Sequence, residues 1–338
     1  MTDISTLGEF GLIRHLTDSF VTSNPSTIKG VGDDAAVLDY GSKRTLVTTD
    51  ILLEGVHFNL DYTPLQHLGY KAAIVNFSDI YAMNGQPKQI TVTVGVDKRF
   101  PVEALEELYS GIQIACKRYG VDLVGGDTSA SINGLVISIT CIGEASADKI
   151  VYRNGAQPND LICVSGELGS AYLGLQMLIH ENDALKGVND VDSILEEHKH
   201  IIERQLKPEA RKDVIKQLNE LGIKPTAMMD VSDGLSSELF HICTQSGVGC
   251  RIFSDNIPIN YDAAVYAEEL NLNIVTCALN GGEDYELLFT CNLKDYDKLL
   301  QIKDIQLIGH CTKKEEGLVL VGREGEEIKL QAQGWKAF

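Results

Sequence analysis

Between Tyr70 and Ile142 the apolar residues switch repeatedly between a spacing of three or four and a spacing of two. Tyr70, Ala73, Ile74, Phe77 and Ile80 recur at helical spacing, which predicts a helix over 69–83 that Asn84-Gly85 stops. The run 90–96 (ITVTVGV) alternates β-branched apolar with small residues, as a half-buried strand does. Pro101 then opens a second helix ahead of Glu103 and Leu105, ending near Tyr119-Gly120. A short apolar run at 121–124 delivers the chain into the turn-like Gly125-Gly126-Asp127-Thr128, and 135–142 reads as another strand. A chain patterned this way folds as α/β (α+β) rather than as a helical bundle, and its 31 glycines agree with a turn-rich architecture.

The remaining segments extend the pattern. An amphipathic stretch at 8–20 precedes the turn Gly30-Val31-Gly32-Asp33-Asp34, and 45–50 (TLVTTD) reads as a strand. Beyond the polar stretch 143–148, a strand is expected at 160–165 and a helix at 170–180, followed by a charged segment at 181–192. Helices are expected at 194–205, at 209–221 after Pro208, and at 235–246 before Gly247. A strand at 285–290 follows Asn280-Gly281-Gly282-Glu283-Asp284, ahead of a strand-rich tail ending in Gly334-Trp335. At 338 residues the chain is long enough for two cores, which we place at 1–147 and 148–338.

Charge narrows the function. There are 29 basic against 48 acidic residues, a net −19, which opposes nucleic acid or an anionic membrane as a partner. If the ligands are phosphates, cations or backbone N–H groups must hold them. The eight cysteines form no C-x-x-C pair and mostly sit in apolar runs, so they are read as reduced core residues. The first ten residues carry Asp3 and Glu9 without a basic region and apolar stretch, and no window approaches 18 consecutive apolar residues, so a cytoplasmic protein is expected.

Aspartates recur beside glycine or hydroxyl residues at predicted strand ends and turns: Asp33, Asp34, Asp50, Asp127, Asp230 and Asp233. Strand ends are where α/β proteins bind ligands, but turn aspartates also serve local Asx-turns and caps, and each position admits both readings. Asn76 and Asp79 share one side of the 69–83 helix, so Asp79 faces either a cleft or solvent. Two carboxylates about 5 Å apart repel by roughly 3 kcal/mol at an effective dielectric of about 20, so a converging set needs a divalent cation. Magnesium, which accepts carboxylates, waters and phosphate oxygens, would let an acidic protein bind ATP. There is no G-x-x-x-x-G-K-[ST], H-R-D, D-F-G or G-x-G-x-x-G, and no H-E-x-x-H around His57, His180 or His310. P-loop, protein-kinase and zinc-hydrolase readings are therefore disfavoured.

Read in order, eight motifs resemble the thiamine-monophosphate kinase family, within the superfamily typified by aminoimidazole ribonucleotide synthetase. They are Gly8-Glu9-Phe10, Gly32-Asp33-Asp34-Ala35, Thr48-Thr49-Asp50 with Gly55-Val56-His57-Phe58, Asn76-Phe77-Ser78-Asp79, Gly125-Gly126-Asp127-Thr128, Arg153-Asn154-Gly155-Ala156, Asp230-Val231-Ser232-Asp233-Gly234-Leu235 and Gly281-Gly282-Glu283-Asp284-Tyr285-Glu286-Leu287. The resemblance implies the two-domain PurM-like fold, with an N-terminal ATP- and magnesium-binding domain that dimerises into a barrel and a C-terminal α/β substrate domain. It implies that Asp34, Thr48, Thr49, Asp50, Asp79, Asp127, Asp230 and Asp233 hold several magnesium ions. Tyr109, Gly126, Asp127, Arg153 and Ser232 would contact ATP, and His57, Glu283 and Trp335 thiamine monophosphate. Asn154, Gln157 and Asn159 stand where the family commonly has serine, glycine and lysine, and Asn84 is read as a helix-cap variation.

The expected reaction is direct, in-line phosphorylation of thiamine monophosphate to thiamine diphosphate by ATP, with no covalent enzyme intermediate. One alternative is another ATP-using synthetase of the superfamily. Selenophosphate synthetases need a reactive cysteine near the N-terminus and hydrogenase-maturation members end in cysteine, whereas here the first cysteine is Cys116 and the chain ends Trp335-Lys336-Ala337-Phe338. The other is a non-catalytic nucleotide or cation sensor, which would keep the aspartates without needing Glu283 and Trp335.

Overall fold

The computed structural model describes residues 15–29, 37–38, 41, 43–184 and 198–331, with the side chains of 28–29, 37–38 and 181–184 excepted. Asp33, Asp34, Trp335, the start of the 8–20 segment and much of the charged stretch after 181 lie outside the described residues. The chain divides into two compact units, Met1–Ile150 and Val151–Phe338.

In the first unit, β1 (Thr27–Lys29) and β2 (Val37–Leu38) form a short antiparallel ribbon. Then come β3 (Arg44–Leu53), α1 (Leu65–Ala82), β4 (Gln86–Val96), α2 (Val102–Tyr119), β5 (Asp122–Ala130) and β6 (Val136–Ala145). The sheet runs β3-β6-β4-β5, parallel only between β4 and β5. Pro101 starts α2, with Glu103 in its first turn and Lys117 and Arg118 in its last, before Gly120 closes it at φ 72°. Helix α1 is buried from 68 to 82 except at half-buried Asp79, because the sheet and α2 cover its sides. A Cβ on Gly69 would lie 1.9 Å from the Leu108 carbonyl oxygen and one on Gly111 1.8 Å from that of Gln66, so the helices meet backbone to backbone. Asn84 ends α1 with φ 56°, and the Gly85 N–H reaches back to the Ile80 carbonyl at 2.9 Å, which supports the cap reading.

Two segments are longer than expected. Strand β3 continues three residues past Asp50, and β5 runs straight through Gly125-Gly126-Asp127-Thr128. That sequence looks like a turn, but parallel pairing to β4 from Thr91 onward, with a bulge before it, overrides local propensity. Asp50 and Asp127 are therefore mid-strand residues.

The second unit comprises β7 (Leu161–Ser165), α3 (Ser170–Ala184), α4 (Lys199–Leu206), α5 (Lys212–Glu220), β8 (Ala227–Asp230), α6 (Leu235–Ser246), β9 (Val248–Phe253), α7 (Tyr261–Glu269) and α8 (Ile274–Asn280). It ends with β10 (Leu287–Cys291), α9 (Tyr296–Leu299), β11 (Ile305–Lys313), β12 (Leu318–Val321) and β13 (Glu327–Lys329). The order is β13-β12-β9-β11-β7-β10-β8, antiparallel except for β12 on β9. Strands β7, β8 and β10 are buried at every residue, which is why they read as continuous apolar runs. Strand β10 starts two residues later than expected, since Glu283 and Tyr285 take left-handed φ values of 59° and 51°. All eight cysteines are buried free thiols. No helix among the described residues is long and apolar enough to cross a membrane.

Candidate active site

In the first unit, Thr48 and Asp50 are two apart on β3 and share the face that packs toward α1, in register with the buried Cys141 and Ile139 of β6. Thr48 Oγ1 donates to Asp79 Oδ2 at 2.5 Å. Asp50 Oδ2 is buried and has no hydrogen-bond partner among the described residues. Burial, and then the Asp79 charge, raises the Asp50 carboxyl to about 6. Burial also pushes the Cys141 thiol up, with Cys116, Asp79 and Asp50 adding to it, so both carboxylates bear on this one sheet position.

The other first-unit candidates are dispersed. Thr49 points to the opposite face, where its Oγ1 donates to the Ile139 carbonyl at 3.2 Å and accepts from Thr140 Oγ1 at 3.1 Å. Asp127, in register with exposed Thr93, accepts the Thr128 N–H at 2.9 Å. Gly126 beside it must be glycine in this pairing, since a Cβ would fall 1.9 Å from the Val92 carbonyl oxygen. His57 Nδ1 accepts the Leu53 N–H at 3.0 Å, which places the neutral ring's proton on Nε2. Tyr109 is a buried residue of α2, and burial raises its hydroxyl to about 12.

In the second unit, buried Asp230 ends β8 and the chain turns through Ser232 and Asp233 into α6. This turn is zipped to the segment before β10. Val231 N–H donates to the Glu286 carbonyl at 2.7 Å, Tyr285 N–H to that of Val231 at 2.9 Å, and Glu283 N–H to that of Ser232 at 2.7 Å. Burial raises the Asp233 carboxyl, against His241 and exposed Arg153, so the latter's charge bears on this turn. Glu238 Oε1 accepts the Asp233 N–H at 3.0 Å, while its buried Oε2 has no partner among the described residues. Burial drives Glu238 to about 8, and Asp233 and Asp230 add to that rise.

The AIR synthase related protein N-terminal domain family matches residues 32–145. A thiamine-monophosphate kinase of Aquifex aeolicus (strain VF5) is 34% identical over 332 residues, 98% of each chain. One of Bacillus subtilis (strain 168) is 34% identical over 340 residues, covering 98% of this chain and 100% of the relative. The chain belongs to the thiamine-monophosphate kinase family. The solved structure of AaThiL complexed with AMPPCP and TMP matches with a TM-score of 0.77 at 34% identity, over 100% of this chain and 99% of that one. Hydrogenase maturation protein HypE in complex with ATP matches with a TM-score of 0.73 at 20% identity, a likeness of fold alone.

Inside its motifs and beyond them, this thiamine-monophosphate kinase family member holds charged residues to which sequence reading gave no role. Glu286 is buried and accepts from Ser165 Oγ at 2.5 Å, Arg204 Nη2 at 2.8 Å and Arg211 Nη1 at 2.6 Å. Asp284, wholly buried, accepts the Gly169 N–H at 2.9 Å and is pushed to about 7 by burial, with Arg204 pulling it back. Both lie inside the motif that pointed to Glu283. Glu238 and Arg204 sat on expected helices, where they looked like ordinary surface charges. Among the described residues no three His, Cys, Asp or Glu side chains form a group able to hold a metal by themselves.

Proposed function

We propose that the protein transfers the γ-phosphoryl group of ATP to the phosphate of thiamine monophosphate, giving thiamine diphosphate and ADP. The observation that carries this reading is a 34% identity reaching 98% of both chains with a thiamine-monophosphate kinase, together with the matching structure described as holding AMPPCP and TMP. The acceptor phosphate oxygen is already nucleophilic at neutral pH, so no side chain needs to form a covalent intermediate.

The donor chemistry fits magnesium. Asp50 beside Asp79, with a buried Asp50 oxygen unpartnered among the described residues and Asp50 raised to about 6, offers hard oxygen donors. Asp50, Asp79 and Thr48 would hold one Mg²⁺ in the first unit; Asp34, Asp127 and Thr49, the last on the opposite face of β3, are read as ligands of further ions, as are Asp230 and Asp233 in the second unit. Bound there, the ions would neutralise phosphate charge and lower the barrier to transfer. Tyr109, Gly126, Asp127, Arg153 and Ser232 would contact ATP. His57, through its Nε2–H, Glu283 and Trp335 contact thiamine monophosphate.

The face of the four-stranded sheet opposite α1 and α2 leaves Val47 66% and Ile51 51% exposed, which supports a homodimer formed by that face. With ATP as co-substrate, the protein acts in the cytoplasm. Incubating it with ATP, Mg²⁺ and thiamine monophosphate should yield thiamine diphosphate by mass spectrometry. Folded protein that binds ATP and yields none would favour the sensor.

A further inference from the structure

Helix α4 carries three partners of second-unit carboxylates within six residues. The His200 ring is bonded to Glu167. Arg204 Nη2 reaches Glu286 Oε1 at 2.8 Å and the Asp284 carbonyl at 3.0 Å. Gln205, only 6% exposed, donates from Nε2 to Glu283 Oε2 at 2.9 Å. Arg204 thus grips the backbone one residue beyond Glu283 while Gln205 grips its carboxylate.

What they grip is a strained piece of chain. Glu283 and Tyr285 are non-glycine residues at φ 59° and 51°, and such conformations persist only where the surroundings over-determine them. The Asp284 carboxylate, seated on the Gly169 and Ala171 N–H groups, fixes the residue between them. Held by these contacts, the segment turns sharply just ahead of strand β10. That fixes where the Glu283 carboxylate stands.

We propose that Gln205, supported by Arg204, is a positioning residue that orients Glu283 toward the acceptor substrate. The inference rests on the reading of Glu283 as an acceptor contact. Gln205 Nε2–H holds one Glu283 oxygen and thereby sets the plane of the carboxylate that a cationic heteroaromatic phosphate meets. A carboxylate free to rotate would have to be ordered on binding instead.

The full-length protein is compared with Gln205→Met, Glu283→Gln and the double variant, using ATP, Mg²⁺ and thiamine monophosphate. Gln205→Met is expected to raise KM for thiamine monophosphate about tenfold, as loss of a charge-assisted hydrogen bond does, and to leave KM for ATP and Tm unchanged. Glu283→Gln should raise the same KM at least as much, and the double variant should be no worse than Glu283→Gln alone. A Gln205→Met enzyme whose KM for thiamine monophosphate stays put while Glu283→Gln raises it overturns the inference, as do KM values for both substrates rising together. If Glu283→Gln has no effect, the acceptor role of Glu283 fails and the inference with it; if the unmodified protein makes no thiamine diphosphate, the proposed function fails first. Should Gln205→Met not fold, Gln205→Asn, whose amide is one methylene short, carries the same comparison.

Discussion

Two buried carboxylate sites, the Glu286–Asp284 cluster of the second unit and the Asp50–Asp79 pair of the first, are treated in opposite ways. In the second unit Glu286 receives two arginines and a hydroxyl, and Asp284 receives backbone N–H groups. In the first unit Asp50 faces Asp79 and keeps a buried oxygen without a partner among the described residues. Burial raises Asp50 and Asp284 alike, to about 6 and about 7, so the shift by itself does not separate them. Satisfaction does. Glu286 is held by donors of the protein itself, whereas Asp50, beside the Asp79 charge and with a buried oxygen left without a partner among the described residues, is prepared for a cation from solution.

The largest effect should come from removing the unsatisfied carboxylate. Asp50→Ala is expected to lower kcat/KM by about a thousandfold or more while circular dichroism stays native. Near-normal turnover would remove Asp50 from the metal site and erase the contrast between the units. Arg211→Met tests the other side. It takes a cation from buried Glu286, so urea denaturation should show a loss of about 3 kcal/mol, the cost of breaking a buried pair. A change near zero would mean that Arg204 alone satisfies Glu286.

A smaller effect sharpens the comparison through pH. The folded pKa of Asp50 lies above its ordinary value of 3.8, so the metal-free fold loses stability as pH climbs through the interval from 3.8 to about 6. Asparagine does not titrate. Metal-free Asp50→Asn should therefore be more stable than the parent by about 3 kcal/mol near pH 8, with the gap closing near pH 4. Added Mg²⁺ should reverse the order, and thermal melts at the two pH values read both signs.

How far the sequence foresaw this depends on whether a signal was local. Helix α6 was legible from Leu235 to Ser246 because its apolar spacing and Gly247, at φ 69°, are written into neighbouring residues. Helix α2 was legible for the same reason. Asp50 and Asp127 were legible as candidates yet misplaced at strand ends, since pairing with strands distant in sequence carries β3 and β5 onward. The Asp50–Asp79 encounter spans strand and helix, and spacing along either one could not show it. Glu238, Arg204 and Gln205 gave no warning, because a polar side chain on a helix looks alike whether it meets water or a buried partner.

The measurement that bears most directly on the contrast is Mn²⁺ binding, with Mn²⁺ standing in for Mg²⁺, followed by electron paramagnetic resonance in the presence of a non-hydrolysable ATP analogue. The parent protein, Asp50→Asn and Asp284→Asn would be titrated side by side. Asp50→Asn should lose bound Mn²⁺ while Asp284→Asn binds as the parent does. Equal binding by all three, or loss only in Asp284→Asn, would contradict the assignment of Asp50 and its surroundings as the cation site.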